Sequence, residues 1–179
     1  MKILKNKLKG ELNIRTQKDY PTKGVEFIDI TPLIIQNDVF KEITNKFVKE
    51  IKDKNIDYIV APEARGFLFG TSVAYKLGVG ILPVRKKGKL PPNSVAKSFD
   101  YEKEYGKDTL ELTKLIDETY KGKNFYIIDD IYATGNTVKA IKKAIEDLGG
   151  TVVGAGVVLN IVELNDSKDV FSLIDVNES

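Results

Sequence analysis

The chain has 179 residues, 42% hydrophobic and 30% charged, with 28 Lys and Arg against 26 Asp and Glu for a net charge of +2. That length fits one domain with a sizeable core, and the near-neutral balance, its densest basic patch confined to Arg85, Lys86, Lys87 and Lys89, argues against a nucleic-acid partner. Cysteine and histidine are both absent, so disulfides, thiolate catalysis and cysteine-based zinc sites are excluded, and proton transfer falls to carboxylates, lysines, tyrosines, the substrate or water.

The start, MKILKNKLKGEL, is basic and lacks the continuous apolar core of a signal peptide. No run of transmembrane length follows, and the expectation is a soluble cytoplasmic protein with no membrane partner. Ile3, Leu4, Leu8 and Leu12 fall at roughly helical spacing, which predicts a short amphipathic helix over residues 1–12. Residues 13–36, punctuated by Pro21, Gly24 and Pro32, read as irregular. A helix is predicted from about Asp38, as its cap, to Lys54, with Phe40, Ile43, Phe47, Val48 and Ile51 on one side.

An alternation follows. DYIVAP reads as a strand, GFLFGTSVAYKLG as a helix and GILPV as a strand; a polar segment from Arg85 to about Lys97 then breaks the pattern. Residues 98–113 suit an antiparallel pair turning at Tyr105-Gly106-Lys107. NFYIID is a strand, and Asn136 to Leu148 is a helix with Val138, Ile141, Ala144, Ile145 and Leu148 inward. TVVGAGVVLNIVEL is a further strand. Strands separated by helices pair in parallel through right-handed crossovers, which gives an α/β fold with its sheet covered on both faces. Ligands in such sheets sit beyond the carboxyl ends of the strands, where Pro62 to Arg65, Arg85 and Asp129 fall.

The stretch FYIIDDIYATGNT holds the sharpest signal, because four large apolar residues run directly into Asp129 and Asp130 and then into a loop of small and hydroxylated residues. Ala133, Thr134, Gly135, Asn136 and Thr137 precede or open a helix, whose free N–H groups and dipole favour an anion. Gly135 allows close backbone approach, Thr134 and Thr137 add hydroxyl donors, and Asn136 tolerates a left-handed conformation. Acceptor-only carboxylates suit vicinal ribose hydroxyls and can face magnesium directly or through water. A phosphate with hydroxyls one sugar away is a ribose 5-phosphate. By contrast, Gly154-Ala155-Gly156 lacks the third glycine and following helix of a dinucleotide fingerprint, and no P-loop motif is present.

Residues 125–137 resemble the phosphoribosyl-pyrophosphate (PRPP) signature of the type I phosphoribosyltransferases, with Asn136 in place of the usual second glycine. YPTKGVEFIDITPL, PEARGFLFG, VRKKGKLP and YEKEYGKDTLEL resemble, in order, successive blocks of the adenine phosphoribosyltransferase branch of that family. The first dozen and roughly the last dozen residues match no block. The resemblance implies one domain over residues 1–179: an N-terminal helix and small base-binding hood (1–36), a core (37–160) whose mostly parallel sheet is flanked by helices and bears a flexible lid loop at about 85–108, and a C-terminal segment (161–179).

The same resemblance implies conversion of adenine and PRPP to AMP and pyrophosphate with magnesium, by a homodimer serving purine salvage. Asp129 and Asp130 would hold the ribose hydroxyls, and Ala133 to Thr137 the 5-phosphate. Glu63, Ala64 and Arg65 would bind pyrophosphate, through a non-proline cis peptide falling at Glu63–Ala64. Arg85 matches an arginine that approaches pyrophosphate in the family, with Lys86 and Lys89 helping to neutralise it. Phe27 matches a phenylalanine that stacks on the purine, Val25 a position whose backbone reads the ring edge, and Arg65 borders the base. Ile28 stands where some members carry arginine. Glu104 and Tyr105 match the lid pattern, the glutamate as the proton-handling group.

Two alternatives stay open. One is the same reaction on hypoxanthine, guanine or xanthine. The other is a non-catalytic PRPP-sensing regulator, against which the short twelve-residue start, the lid block and Glu104 all argue.

Overall fold

The computed structural model describes residues 1–20, 22–103 and 106–177. In chain order the elements are β1 (Lys2–Asn6), β2 (Arg15–Lys18), β3 (Glu26–Asp29), α1 (Thr31–Ile35), α2 (Asn37–Ile51), β4 (Tyr58–Pro62), α3 (Arg65–Leu77) and β5 (Gly80–Lys86). They continue with β6 (Val95–Lys103), β7 (Gly106–Thr113), β8 (Asn124–Tyr132), α4 (Asn136–Asp147), β9 (Thr151–Ile161) and β10 (Val170–Asn177). Eight of the strands form one sheet in the order β1-β10-β9-β8-β4-β5-β7-β6, and β2 pairs with β3 alone.

The five inner strands from β10 to β5 are mutually parallel, as the strand–helix alternation predicts. Both edges are antiparallel: β1 runs against β10, β7 against β5, and β6 against β7. The sheet is dressed on both sides because its central strand is apolar on both. Tyr126 and Ile128 of β8 enter the core made with α2 and α3, where Phe47, Phe69 and Val73 are fully buried. Phe125 and Ile127 enter the opposite core under α4, beside Ile141 and Ile145. Complete burial of one such side chain is worth about 1.5–3 kcal/mol, so β8 anchors the whole arrangement.

Several expectations are corrected. Residues 1–12 contain no helix: Lys2–Asn6 is a strand whose Ile3 and Leu4 stay 44% and 48% exposed. Helical spacing misleads here because the strand's partner is distant; Lys2 pairs with Asn177 and Asn6 with Ile174. This lysine-bearing strand covers the edge of β10 and blunts the new edge with charge. The segment 13–36 is not irregular, since Arg15 pairs with Asp29 and Lys18 with Glu26 in a two-stranded ribbon, and α1 follows. The C-terminal segment, whose last dozen or so residues resemble no block of the family, supplies β10 between β1 and β9. The polar segment from Arg85 contains the end of β5, a 3-10 turn over Pro92–Ser94 and the start of the β6–β7 pair.

Residues 154–156 lie mid-strand in β9, not in a nucleotide loop. A Cβ at Gly154 would come within 2.8 Å of the Tyr126 ring, and one at Gly156 within 2.8 Å of Phe47. These glycines make room for two core aromatics. Between β4 and β8 the chain leaves in opposite directions, β4 toward β5 and β8 toward β9. That switch point, at the carboxyl ends of two adjacent parallel strands, opens the crevice in which such folds bind ligands.

Candidate active site

A cavity of about 300 Å³ lies at this switch point, lined by Val25, Phe27, Arg65, Asp129, Asp130, Ala133 and Thr137 together with Glu26, Ile28, Ile131 and Ile161. Seven residues singled out from sequence, spread over more than a hundred positions, therefore share one wall. The aspartates stand within β8, which runs on to Tyr132, instead of just beyond its end. Their backbone is consequently fixed by ladder pairing, Asp129 opposite Val157.

Asp129 and Asp130 are only 8% and 6% exposed. The Asp130 N–H donates to Asp129 Oδ1 at 2.8 Å, which orients one carboxylate by the backbone of the other. Asp130 Oδ2 accepts no hydrogen bond among the described residues. Arg65 Nε lies 2.6 Å from it as a charge contact, out of line for a hydrogen bond. A buried oxygen held by charge alone remains an acceptor for a hydroxyl donor. Burial first, and the neighbouring Asp130 charge second, push Asp129 well above the usual carboxylate range. The doubly ionised pair is thus disfavoured in the free protein and is completed by hydroxyl donors or a cation.

α3 brings Arg65 to the pair, and Gly66 lets it do so. A Cβ at Gly66 would stand 3.0 Å from Asp129 Oδ1 and 2.8 Å from Pro62. The first turn of α3 therefore packs directly on the carboxylate, a role the sequence reading missed although Gly66 follows Arg65 immediately. The Arg65 guanidinium also stacks 5.4 Å from the Phe27 ring centre, connecting the acidic pair to the β2–β3 ribbon. Tyr20 packs edge-on against Phe27, the ring centres 5.3 Å apart. Val25 donates its N–H to Thr22 O and accepts from Tyr20 N–H through its carbonyl, both at 3.2 Å. Ile28, buried, gives the cavity wall an apolar surface where an arginine would be polar.

The loop after β8 has the shape an anion site needs. Gly135 caps α4 with φ of 79°, and a Cβ there would collide with the Tyr132 hydroxyl beneath it. Only glycine satisfies both conditions. Asn136 is the first residue of α4 with no left-handed strain, so the missing second glycine is not required by backbone conformation. The Ala133 carbonyl accepts from Asn165 Nδ2 at 2.8 Å, a contact that no local pattern signals.

The Glu63–Ala64 peptide is cis. Glu63 Oε2 accepts from Arg85 Nε at 2.9 Å and from the Lys86 N–H at 3.0 Å. These bonds hold the Glu63 carboxyl below its ordinary range. Its carboxylate is thereby engaged in aiming Arg85 of β5, so the cationic groups beside this loop that suit an anion are Arg65 and Arg85. Lys86 and Lys89 are exposed, and neither they nor Glu63, Ala64, Arg85, Thr134, Gly135 and Asn136 line the cavity. Glu104 and Tyr105 lie outside the described residues; the register pairs Lys103 with Gly106 on either side of them. Among the described residues no cluster of three or more metal-ligating side chains occurs. Two carboxylates with one unsatisfied buried oxygen fit magnesium in the way that ion is usually held, by one or two carboxylates plus substrate phosphates.

Comparison with known proteins agrees with this geometry. Residues 33–176 match the phosphoribosyl transferase domain family. The adenine phosphoribosyltransferase of Clostridium acetobutylicum is 46% identical over 170 residues, covering 92% of this chain and 96% of that one. The crystal structure of adenine phosphoribosyltransferase from Thermoanaerobacter pseudethanolicus superposes with a TM-score of 0.82 at 42% identity, over 91% of this chain and 95% of that one. The Giardia lamblia enzyme complexed with 9-deazaadenine gives a TM-score of 0.82 at 27% identity, over 93% and 95% of the two chains. The chain belongs to the phosphoribosyl transferase domain family, among its adenine phosphoribosyltransferases.

Proposed function

We propose that this protein transfers the 5-phosphoribosyl group of PRPP to adenine, giving AMP and pyrophosphate in purine salvage. The observation that supports this most is that one cavity is lined by Phe27, the acidic pair, Ala133 and Thr137, the residues this reading assigns to base, ribose and 5-phosphate. The bond from the anomeric carbon to the pyrophosphate oxygen breaks as the bond to adenine N9 forms, through a transition state with oxocarbenium character. Asp129 and Asp130 accept from the ribose hydroxyls and favour positive charge on the ring. The phosphate loop fixes the far end of the sugar, which supplies orientation. Arg65 and the Glu63-aimed Arg85 stabilise the departing polyanion. Adenine N9 loses its proton, and Glu104 is our candidate acceptor.

Asp129 and Asp130 would face a magnesium ion carried in with PRPP, which would supply charge neutralisation at the leaving group. The purine stacks on Phe27. Because the Val25 N–H is engaged with Thr22, the backbone group left for the ring edge is the second lone pair of the Val25 carbonyl. An acceptor suits the exocyclic amino group of adenine and opposes the 6-oxo group of hypoxanthine, guanine or xanthine.

The enzyme acts as a homodimer. Leu68 and Tyr75, seven residues apart on one side of α3, are 47% and 89% exposed. A patch of this kind on a soluble fold marks an association surface. The compartment is the cytoplasm, since a polyanion such as PRPP is confined to the space in which it is made. Incubation with adenine, PRPP and magnesium tests the reading, with AMP and pyrophosphate expected in equal amounts. Tight PRPP binding without either product would instead support a PRPP-sensing regulator.

A further inference from the structure

The β8–β9 ladder ends at Tyr132 opposite Asn160, one residue before the phosphate loop. Beyond that point a side chain takes over from the backbone. After β9 the chain makes a 3-10 turn at Val162–Leu164 and returns Asn165 to the ladder's end. Asn165 Nδ2 donates toward Ala133 O at 2.8 Å, Ile161 O at 2.9 Å and Asn160 Oδ1 at 3.0 Å. Its Oδ1 accepts from the Ser167 N–H at 3.1 Å, which fixes which end of the amide faces the loop. Asn160 in turn donates to Asp175 of β10 at 3.2 Å, and Ser172 donates to the same oxygen at 2.5 Å.

We infer that Asn165 is a positioning residue for the 5-phosphate: it serves as the missing rung between β9 and the phosphate loop and sets the direction of the loop's N–H groups. The Ala133 carbonyl and the next amide belong to one rigid peptide plane, so fixing the carbonyl fixes the amide pointing the other way. Only the amide –NH2 can do this. The group faces three oxygens, and a carboxylate of the same shape would face them with a fourth. The inference rests on the phosphoribosyl-transfer reading above.

The test uses the full-length protein and two variants, Asn165→Ala and Asn165→Asp. The second keeps the acceptor for Ser167 and removes the donors. Dissociation constants are measured for AMP and for adenosine, which lacks the phosphate, alongside KM for PRPP and the melting temperature. Wild type should prefer AMP, and both variants should lose about tenfold of that preference, the scale of one hydrogen bond with its acceptor left unpaired. Adenosine affinity should stay within a factor of two, and KM for PRPP should rise more than kcat falls. An unchanged AMP-to-adenosine ratio with a lowered melting temperature would reduce Asn165 to a structural residue and overturn the inference. A wild type with no preference for AMP would overturn the phosphate-loop reading beneath it.

Discussion

Asp129→Asn separates the binding role of the acidic pair from its burden on the fold. The carboxylate is 8% exposed and sits against the Asp130 charge, so its ionised form is disfavoured by burial and by repulsion. The amide keeps the shape, and its oxygen still accepts the Asp130 N–H now bonded at 2.8 Å. Removing one poorly solvated charge from an active site typically gains about 1 kcal/mol, which for a chain of this length raises Tm by about 2–4 °C. The pH dependence follows from the direction of the shift. A carboxyl whose folded pKa is raised leaves the native state holding more protons than the unfolded one, so stability falls as pH rises from the ordinary value of 3.8 through the raised one. The ligand-free variant lacks that fall. Calorimetry across pH should show the two Tm curves together in acid and the variant higher at neutral pH. Turnover should drop about 10²- to 10³-fold, the usual loss when one preorganised group aimed at the transition state is removed. A variant that is less stable at neutral pH, or that retains near-normal turnover, would refute the reasoning.

Gly135→Ala should raise KM for PRPP at least tenfold, because φ of 79° costs an L-residue about 1–2 kcal/mol and the new methyl meets Tyr132; steady-state kinetics checks it. Phe27→Ala should raise KM for adenine roughly tenfold while KM for PRPP moves less, since stacking a base on an aromatic ring is worth about 1–3 kcal/mol. Leu68→Glu with Tyr75→Glu should convert a dimer to a monomer in sedimentation, and an unchanged sedimentation coefficient would place the interface elsewhere. Arg65→Gln should slow turnover about 10²-fold and lower Tm, because it leaves Asp130 Oδ2 buried without its cation.

The interior of the fold was legible in the sequence because it rests on local patterns. β4, α3, β5, β8, α4 and β9 each announce themselves by an apolar run or a 3.6-residue period, and α2 ends within a few residues of its expected limit. The β6–β7 edge was legible as an antiparallel pair, whereas the opposite edge was not: β1 forms by pairing residues nearly the whole chain apart, Lys2 with Asn177, so it holds no local signal of its partner. The same division runs through the site. Asp129, Asp130 and Gly135 stood out because strand, charges and loop adjoin in sequence. Gly66 and Asn165 did not, since their meaning lies in a close approach to Asp129 and a bond to Ala133, contacts that only folding creates. Glu63 shows the intermediate case: its place was read correctly, whereas its orientation toward Arg85 and Lys86 needed coordinates.

The most direct test of the account is a competition among bases. The protein is given limiting PRPP, magnesium and an equimolar mixture of adenine, hypoxanthine, guanine and xanthine, and the nucleotides formed are separated and quantified. An acceptor at Val25 beside the Phe27 ring predicts AMP as the dominant product. Predominance of IMP, GMP or XMP, or PRPP left unconsumed, would contradict it.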